Sequence, residues 1–234
     1  ELEGTHVALV GLGTSQIDYV IGKENSVEWG ETWGCGSSAA VYKLDRLFMM
    51  DPASRFFDTQ DAGKQTDIMR KILPDLEIPI YSCELDERVP GIVEYPINEI
   101  VAATRCAYLN NTVAYAVAFA YWNNVKQIDL FGVDFSYKGN LHFAEAGRAC
   151  VEFWLSKCIE KKIKVGVSPR STLLDSNVPV AERLYGYHRL DDPKVAIPDE
   201  DEWFVCNQSE MDHLMESGKT TLRTVPAPPE PFKG

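Results

Sequence analysis

Asn111-Thr-Val-Ala-Tyr-Ala-Val-Ala-Phe-Ala-Tyr-Trp-Asn-Asn-Val-Lys-Gln-Ile-Asp-Leu-Phe-Gly-Val-Asp134 reads as an almost wholly apolar helix running into a buried strand that ends on an acid. In open α/β sheets small molecules bind outside the carboxyl ends of the strands, where loops leave the sheet and helix N-termini offer free N–H groups. Gly132-Val-Asp-Phe135 falls at such an end. Asp134 is therefore expected to face a ligand rather than to hold the fold together. The same segment also suits a plain core element whose Asp caps a turn.

Working outward, His6-Val-Ala-Leu-Val10 is a short apolar run that ends in Gly11-Leu-Gly-Thr-Ser15, the pattern of a first strand, a glycine turn and a helix start. Two glycines let a backbone approach a phosphate, and Thr14 and Ser15 add hydroxyl donors and caps. The full dinucleotide fingerprint is absent, because a third glycine and a ribose-binding acid about 20 residues later are both missing. The turn also suits ordinary strand-to-helix packing.

Val27 to Ser38 concentrates glycine, serine and tryptophan and is expected to be a loop close to a ligand, or a pair of tryptophan anchors relieved by glycines. Strand signals follow at Asp45–Met50, Ile78–Tyr81 and Lys164–Ser168, and helix signals at Asp61–Leu73, Pro96–Cys106 and Phe143–Lys161. This alternation predicts a Rossmann-like α/β domain, residues 1–175, with a mostly parallel sheet flanked by helices and right-handed crossovers. Residues 176–234 are rich in proline and acids and form a C-terminal extension, expected to act as a lid or oligomer arm in which Trp203, Phe204, Met211, Leu214 and Met215 dock a small helical piece.

Composition narrows the function classes. The 234 residues are 45% hydrophobic and carry a net charge of −12, which disfavours a polyanionic partner; the best basic cluster is Lys157, Lys161, Lys162 and Lys164. No apolar run approaches the roughly 20 residues that span a bilayer, and the first residues lack a signal peptide's pattern. Six scattered cysteines suit a reducing cytoplasm and form no zinc set with the four histidines. The chain starts at Glu1 rather than Met, which leaves an upstream piece open.

Gly11-Leu-Gly-Thr-Ser15, Trp33-Gly-Cys-Gly36, Asn111-Thr-Val-Ala-Tyr-Ala-Val-Ala118, Ile128-Asp-Leu-Phe-Gly-Val-Asp-Phe135 and His142 occur in an order that resembles the bacterial sialyltransferases of glycosyltransferase family 42. The order is also similar to phage-encoded relatives and to the motility-accessory-factor and hydroxymethylpterin-pyrophosphokinase-like group. The resemblance covers roughly Val7 to Leu174. It implies a metal-independent, Rossmann-like glycosyltransferase with no cofactor beyond its cytidine-activated sugar. By the same resemblance Gly11, Gly13, Thr14 and Ser15 form the nucleotide-side turn, Cys35 and Gly36 a second nucleotide loop, Asn111 and Thr112 the helix head facing the donor. Asp134 lies near the ribose, and His142 is the catalytic base. The first turn departs from the family in lacking its usual Asn and Pro, and Gly36 stands where an Asn is common, so a UDP-linked donor stays open beside a CMP-linked one.

The chemistry stands apart from the family. Glycosyl transfer needs a base for the acceptor hydroxyl and donors for the departing phosphate. His142 suits the base, with His188 in Tyr185-Gly-Tyr-His-Arg189 as the second candidate; Ser15, Thr112, Tyr137, Arg170 and Ser171 suit the leaving group. A glycan or a hydroxymethylated DNA base would accept the sugar, in the host cytoplasm if the protein is phage-encoded. The competing expectations are a pterin-type pyrophosphokinase using ATP and magnesium, with Asp129 and Asp134 as metal ligands, and a non-catalytic nucleotide-binding module. A homo-oligomer fits either.

Overall fold

The computed structural model describes residues 2–136, 139–184, 194–199 and 202–217. Seven strands form one sheet: β1 (His6–Val10), β2 (Glu31–Cys35), β3 (Arg46–Phe48), β4 (Ile80–Ser82), β5 (Ile92–Glu94), β6 (Gln127–Phe131) and β7 (Lys164–Val167). Their order is β5-β4-β3-β2-β1-β6-β7, and every pairing is parallel. The helices of this sheet are α1 (Ile17–Glu24), α2 (Ala53–Phe57), α3 (Lys64–Ile72), α4 (Ile97–Thr104), α5 (Thr112–Trp122) and α6 (Leu141–Glu160). The architecture is Rossmann-like α/β.

Alternation along the strands sorts the core into two layers. Val7, Leu9, Trp33, Phe48 and Tyr81 share one apolar cluster with α5 and α6, while Leu47 and Ile80 point the other way, to Met69 of α3. Ala8 and Val10 meet Tyr19 of α1 on that second face. Helix α5 is apolar all round because it packs between the sheet, α4 and α6; Ala114, Ala116, Val117, Ala118, Phe119 and Ala120 are all buried.

Three expectations need correction, and two elements were not expected. Val27–Ser38 is not one ligand loop, since Glu31–Cys35 is strand β2 and Trp33 lies fully buried, its ring against Phe48 and Phe119 and its N–H donated to Glu31 at 2.6 Å. Cys35 consequently faces the core, where burial pushes its thiol up to about 12. Helix α2 and strand β5, five and three residues long, are too short to leave a periodic signal. Trp203 and Phe204 belong to a strand and not to a docked helix.

The chain divides into two compact units, Glu1–Val178 and Pro179–Gly234. The second unit contains an antiparallel hairpin, β8 (Lys194–Asp199) and β9 (Glu202–Asn207), followed by α7 (Gln208–Glu216). Asn207 and Glu210 close a capping box at the start of α7, satisfying two of its first N–H groups, and Met211 is buried.

Candidate functional site at the carboxyl edge of the sheet

The strand order reverses between β1, which leads to β2 and β3 on one side, and β6, which leads to β7 on the other. Loops leaving two such strands diverge and open a crevice at their carboxyl ends. The chain leaves β1 through residues 11–13 into a 3-10 turn at Thr14–Gln16, and leaves β6 through residues 132–136. Helices α5 and α6 return antiparallel to the strands, so both begin on this edge, and Asn111 and His142 stand at their heads.

The two loops meet through their glycines. Gly11 N–H donates to Phe131 O at 2.8 Å and Gly13 N–H to Gly132 O at 2.7 Å. A Cβ on Gly11 would run into Gly132 O, and one on Gly13 would lie 2.5 Å from Asp134 Oδ2. Gly132 itself has φ +67°, the left-handed region that glycine tolerates. The first glycine turn is thus shaped by contact between two backbones, a role different from the phosphate approach expected of it.

Asp134 is 6% exposed. Its Oδ2 accepts from Ser15 N–H at 2.9 Å and from Thr14 Oγ1 at 3.2 Å, and its Oδ1 accepts from Ser15 Oγ. Ser15 Oγ in turn accepts from Gly132 N–H at 2.9 Å. Both carboxylate oxygens therefore hold the β1 turn, which corrects the expectation that Asp134 does not hold the fold. Ser171, also buried, donates to Val133 O at 2.6 Å and accepts from Leu173 N–H, while Thr172 Oγ1 donates to Asp134 O. Three loops are cross-linked around one carboxylate.

Backbone strain gathers at the same edge. Phe135, Leu174 and Asp175 have φ of +47°, +52° and +50°, which for non-glycine residues costs on the order of 1 kcal/mol each. Phe135 is held there by its ring, which lies where a Cβ on Gly147 of α6 would come within 2.6 Å. Arg170 pairs with Asp18 of α1, which also accepts from Ser168 Oγ.

Around this closed junction an open rim remains. Leu12 and Thr14 are exposed, and Gly36, at φ +52°, has only Gln65 Oε1 at 3.6 Å and Leu12 Cδ1 at 4.0 Å near the position of a Cβ. Asn111 caps α5, its Oδ1 accepting from Ala114 N–H at 3.0 Å while its Nδ2 donates to Gly147 O at 3.1 Å, and Thr112 follows half-buried. His142 is exposed, and among the described residues no group is hydrogen-bonded to its imidazole. Tyr137 and His188 lie outside the described residues.

Asp129 does not join Asp134. It accepts from His6 Nε2 at 2.7 Å, Trp29 Nε1 at 2.9 Å and Gln127 Nε2 at 2.8 Å, midway along β6. Among the described residues, no three His, Cys, Asp or Glu side chains gather to hold a metal ion. The residues that sequence reasoning missed are Thr172, Asp18 and Gly147, while Gly132 is marked as part of the strand end but not as the partner of the first glycine turn. Gly147 in a helix gives no signal.

No protein-family model matches the chain, and no curated protein matches it. Among solved structures, the chain is similar to the sialyltransferase CstII from Campylobacter jejuni in complex with a substrate analogue, CMP-3FNeuAc, at 15% identity and a TM-score of 0.46, over 90% of this chain and 98% of that one. A second structure of the same sialyltransferase, in complex with cytidine-5′-monophosphate, gives 16% identity and a TM-score of 0.44, over 72% of this chain and 82% of the other. At these values the likeness assigns neither activity nor site residues.

Proposed function

We propose that the carboxyl edge binds a nucleotide-activated sugar, CMP- or UDP-linked, and that the protein transfers the glycosyl group to a hydroxyl of an acceptor glycan. The observation that carries this reading is the strand-order reversal at β1 and β6, rimmed by Leu12, Thr14, Gly36 and the heads of α5 and α6. The order of motifs along the chain supports the same class. In the reaction, His142 takes the acceptor hydroxyl's proton as the acceptor oxygen bonds to the anomeric carbon, and the bond from that carbon to the phosphate oxygen breaks. The nucleotide leaves as the phosphate anion, met by Thr14, Thr112 and the free N–H groups at the α5 head.

The pyrophosphokinase reading loses support, because Asp129 and Asp134 are engaged by separate partners and do not converge on one ion. The testing experiment is a thermal-shift screen with CMP, UDP, GDP and ATP, each with and without magnesium. A nucleotide that binds only the native state at about 100 times its Kd adds about 2.7 kcal/mol of stability. Stabilisation by CMP or UDP without magnesium is expected; a response confined to ATP with magnesium overturns the reading.

A further inference from the structure

A second concave surface lies on the α5 face of the sheet. Helix α5 starts at the carboxyl edge and so ends toward the amino edge, where Trp122 and Asn123 stand with residues of β3, β4 and β5 around one groove. The groove measures about 360 Å³, and Arg46, Tyr81, Glu94 and Phe119 complete its polar and aromatic lining. That volume falls in the range of small-molecule sites. Aromatic rings run continuously along it: Tyr81 lies 4.6 Å from Phe119, and Phe119 lies 5.9 Å from Trp122. It shares no residue with the rim at β1 and β6.

Trp122 differs from the other three tryptophans whose side chains are described. The indole N–H of Trp29 donates to Asp129 at 2.9 Å, that of Trp33 to Glu31 at 2.6 Å and that of Trp154 to Tyr108 O at 2.7 Å. Trp122 is 36% exposed, its N–H donates to no group among the described residues, and no lysine stands over its ring. Glu94 is exposed as well and makes no hydrogen bond or ion pair among the described residues. Asn123 spends its Nδ2 on Phe119 O at 2.9 Å, which leaves Oδ1 as an acceptor. Arg46 is held in place: Nε and Nη2 donate to Glu31 at 2.7 and 2.9 Å, and Nη1 donates to the Tyr81 hydroxyl at 3.1 Å. Each Nη keeps a second N–H.

We propose that this groove binds a neutral glycan, one pyranose ring stacked on Trp122 with its hydroxyls on Glu94, Asn123 and Arg46. The flat C–H face of a pyranose carries partial positive charge and suits the negative face of an indole. A sugar hydroxyl both donates and accepts, which matches a lining that mixes acceptors, Glu94 and Asn123 Oδ1, with the spare N–H groups of Arg46. Charge disfavours the other classes. An anion, a nucleotide included, meets Glu94 and finds Arg46 already shared with Glu31; an ammonium ligand meets Arg46 in the same groove. The site needs no catalytic group and stands apart from the proposed donor crevice.

The test is saturation-transfer NMR of the full chain with the neutral disaccharides lactose and cellobiose, and with choline as the cationic control. At least one disaccharide should bind with a Kd on the order of 1 mM, as suits an open groove with one stacking ring. Trp122→Ala should weaken that binding about tenfold or more, and Glu94→Gln should weaken it several-fold at unchanged Tm. Absence of transfer to both disaccharides overturns the inference. Wild-type binding by Trp122→Ala also overturns it, placing the sugar elsewhere, as does choline binding more tightly than either sugar, which makes the groove a cation site. If Trp122→Ala fails to fold, Glu94→Gln decides, because that carboxylate has no partner among the described residues. Nucleotide binding is read separately by thermal shift, so either proposal can fail alone.

Discussion

Gly13 and Gly36 both sit just past a strand at the carboxyl edge, and both belong to motifs that suggest phosphate contact, yet their surroundings are opposite. A side chain at Gly13 collides with Asp134 and Gly132, whereas one at Gly36 makes only ordinary contacts with Gln65 and Leu12. The first marks a junction closed by Ser15, Asp134, Ser171 and Thr172; the second belongs to a rim with Leu12, Thr14 and His142 exposed. Glycine spacing alone does not tell a backbone kept bare for a ligand from one kept bare for another backbone. Substitutions in the junction should chiefly lower stability, and those on the rim should lower function by more than any loss of stability accounts for.

The largest effect is expected on the rim. His142→Ala should reduce glycosyl turnover by about 10²–10⁴-fold with little change in nucleotide affinity or Tm, measured with the donor from the ligand screen. Full activity in that variant removes the base assignment, and loss in His188→Ala alone moves the role to the second unit. Next, Gly13→Val should destabilise the fold by about 3 kcal/mol, an overpacked site with a displaced buried carboxylate, and lower Tm on the order of 10 °C. A folded Gly13→Val protein with unchanged Tm breaks the closed-junction reading.

Asp134→Asn should cost about 2 kcal/mol by weakening charge-assisted bonds from Ser15 and Thr14, seen as a drop of several degrees in Tm. An unchanged melting curve with weakened ligand binding would return Asp134 to the ligand side. The smallest stability effect is Gly36→Ala, about 1 kcal/mol from the left-handed backbone alone. Its nucleotide affinity should fall by more than that strain accounts for, which calorimetric titration beside Tm resolves.

The contrast also explains what the sequence made legible. Helix α5 stood out because an all-round apolar helix leaves an unbroken apolar run, strand β6 because buried Ile128 and Leu130 alternate with less buried neighbours just before a glycine, and the strand–helix alternation around them implied the parallel sheet. Strand β2 was obscured because its Glu31, Thr32 and Gly34 break the apolar pattern, although Glu31 is answered by Arg46 at 2.7 Å and Thr32 by Tyr19 at 3.2 Å. Gly11, Gly13 and Asp134 could be marked individually. That they contact one another depends on pairings across about 120 positions of chain, such as Ser15 with Asp134, and no local pattern encodes such a partner.

Location of the ligand tests the central claim most directly: a crystal structure with the nucleotide that gives the largest thermal shift. We expect the nucleotide over the β1–β6 reversal, its phosphate within hydrogen-bond reach of Thr14 or the head of α5, with Asp134 still bonded to Ser15. A nucleotide lodged instead in the groove beside Arg46 and Tyr81 at the amino edge would contradict it.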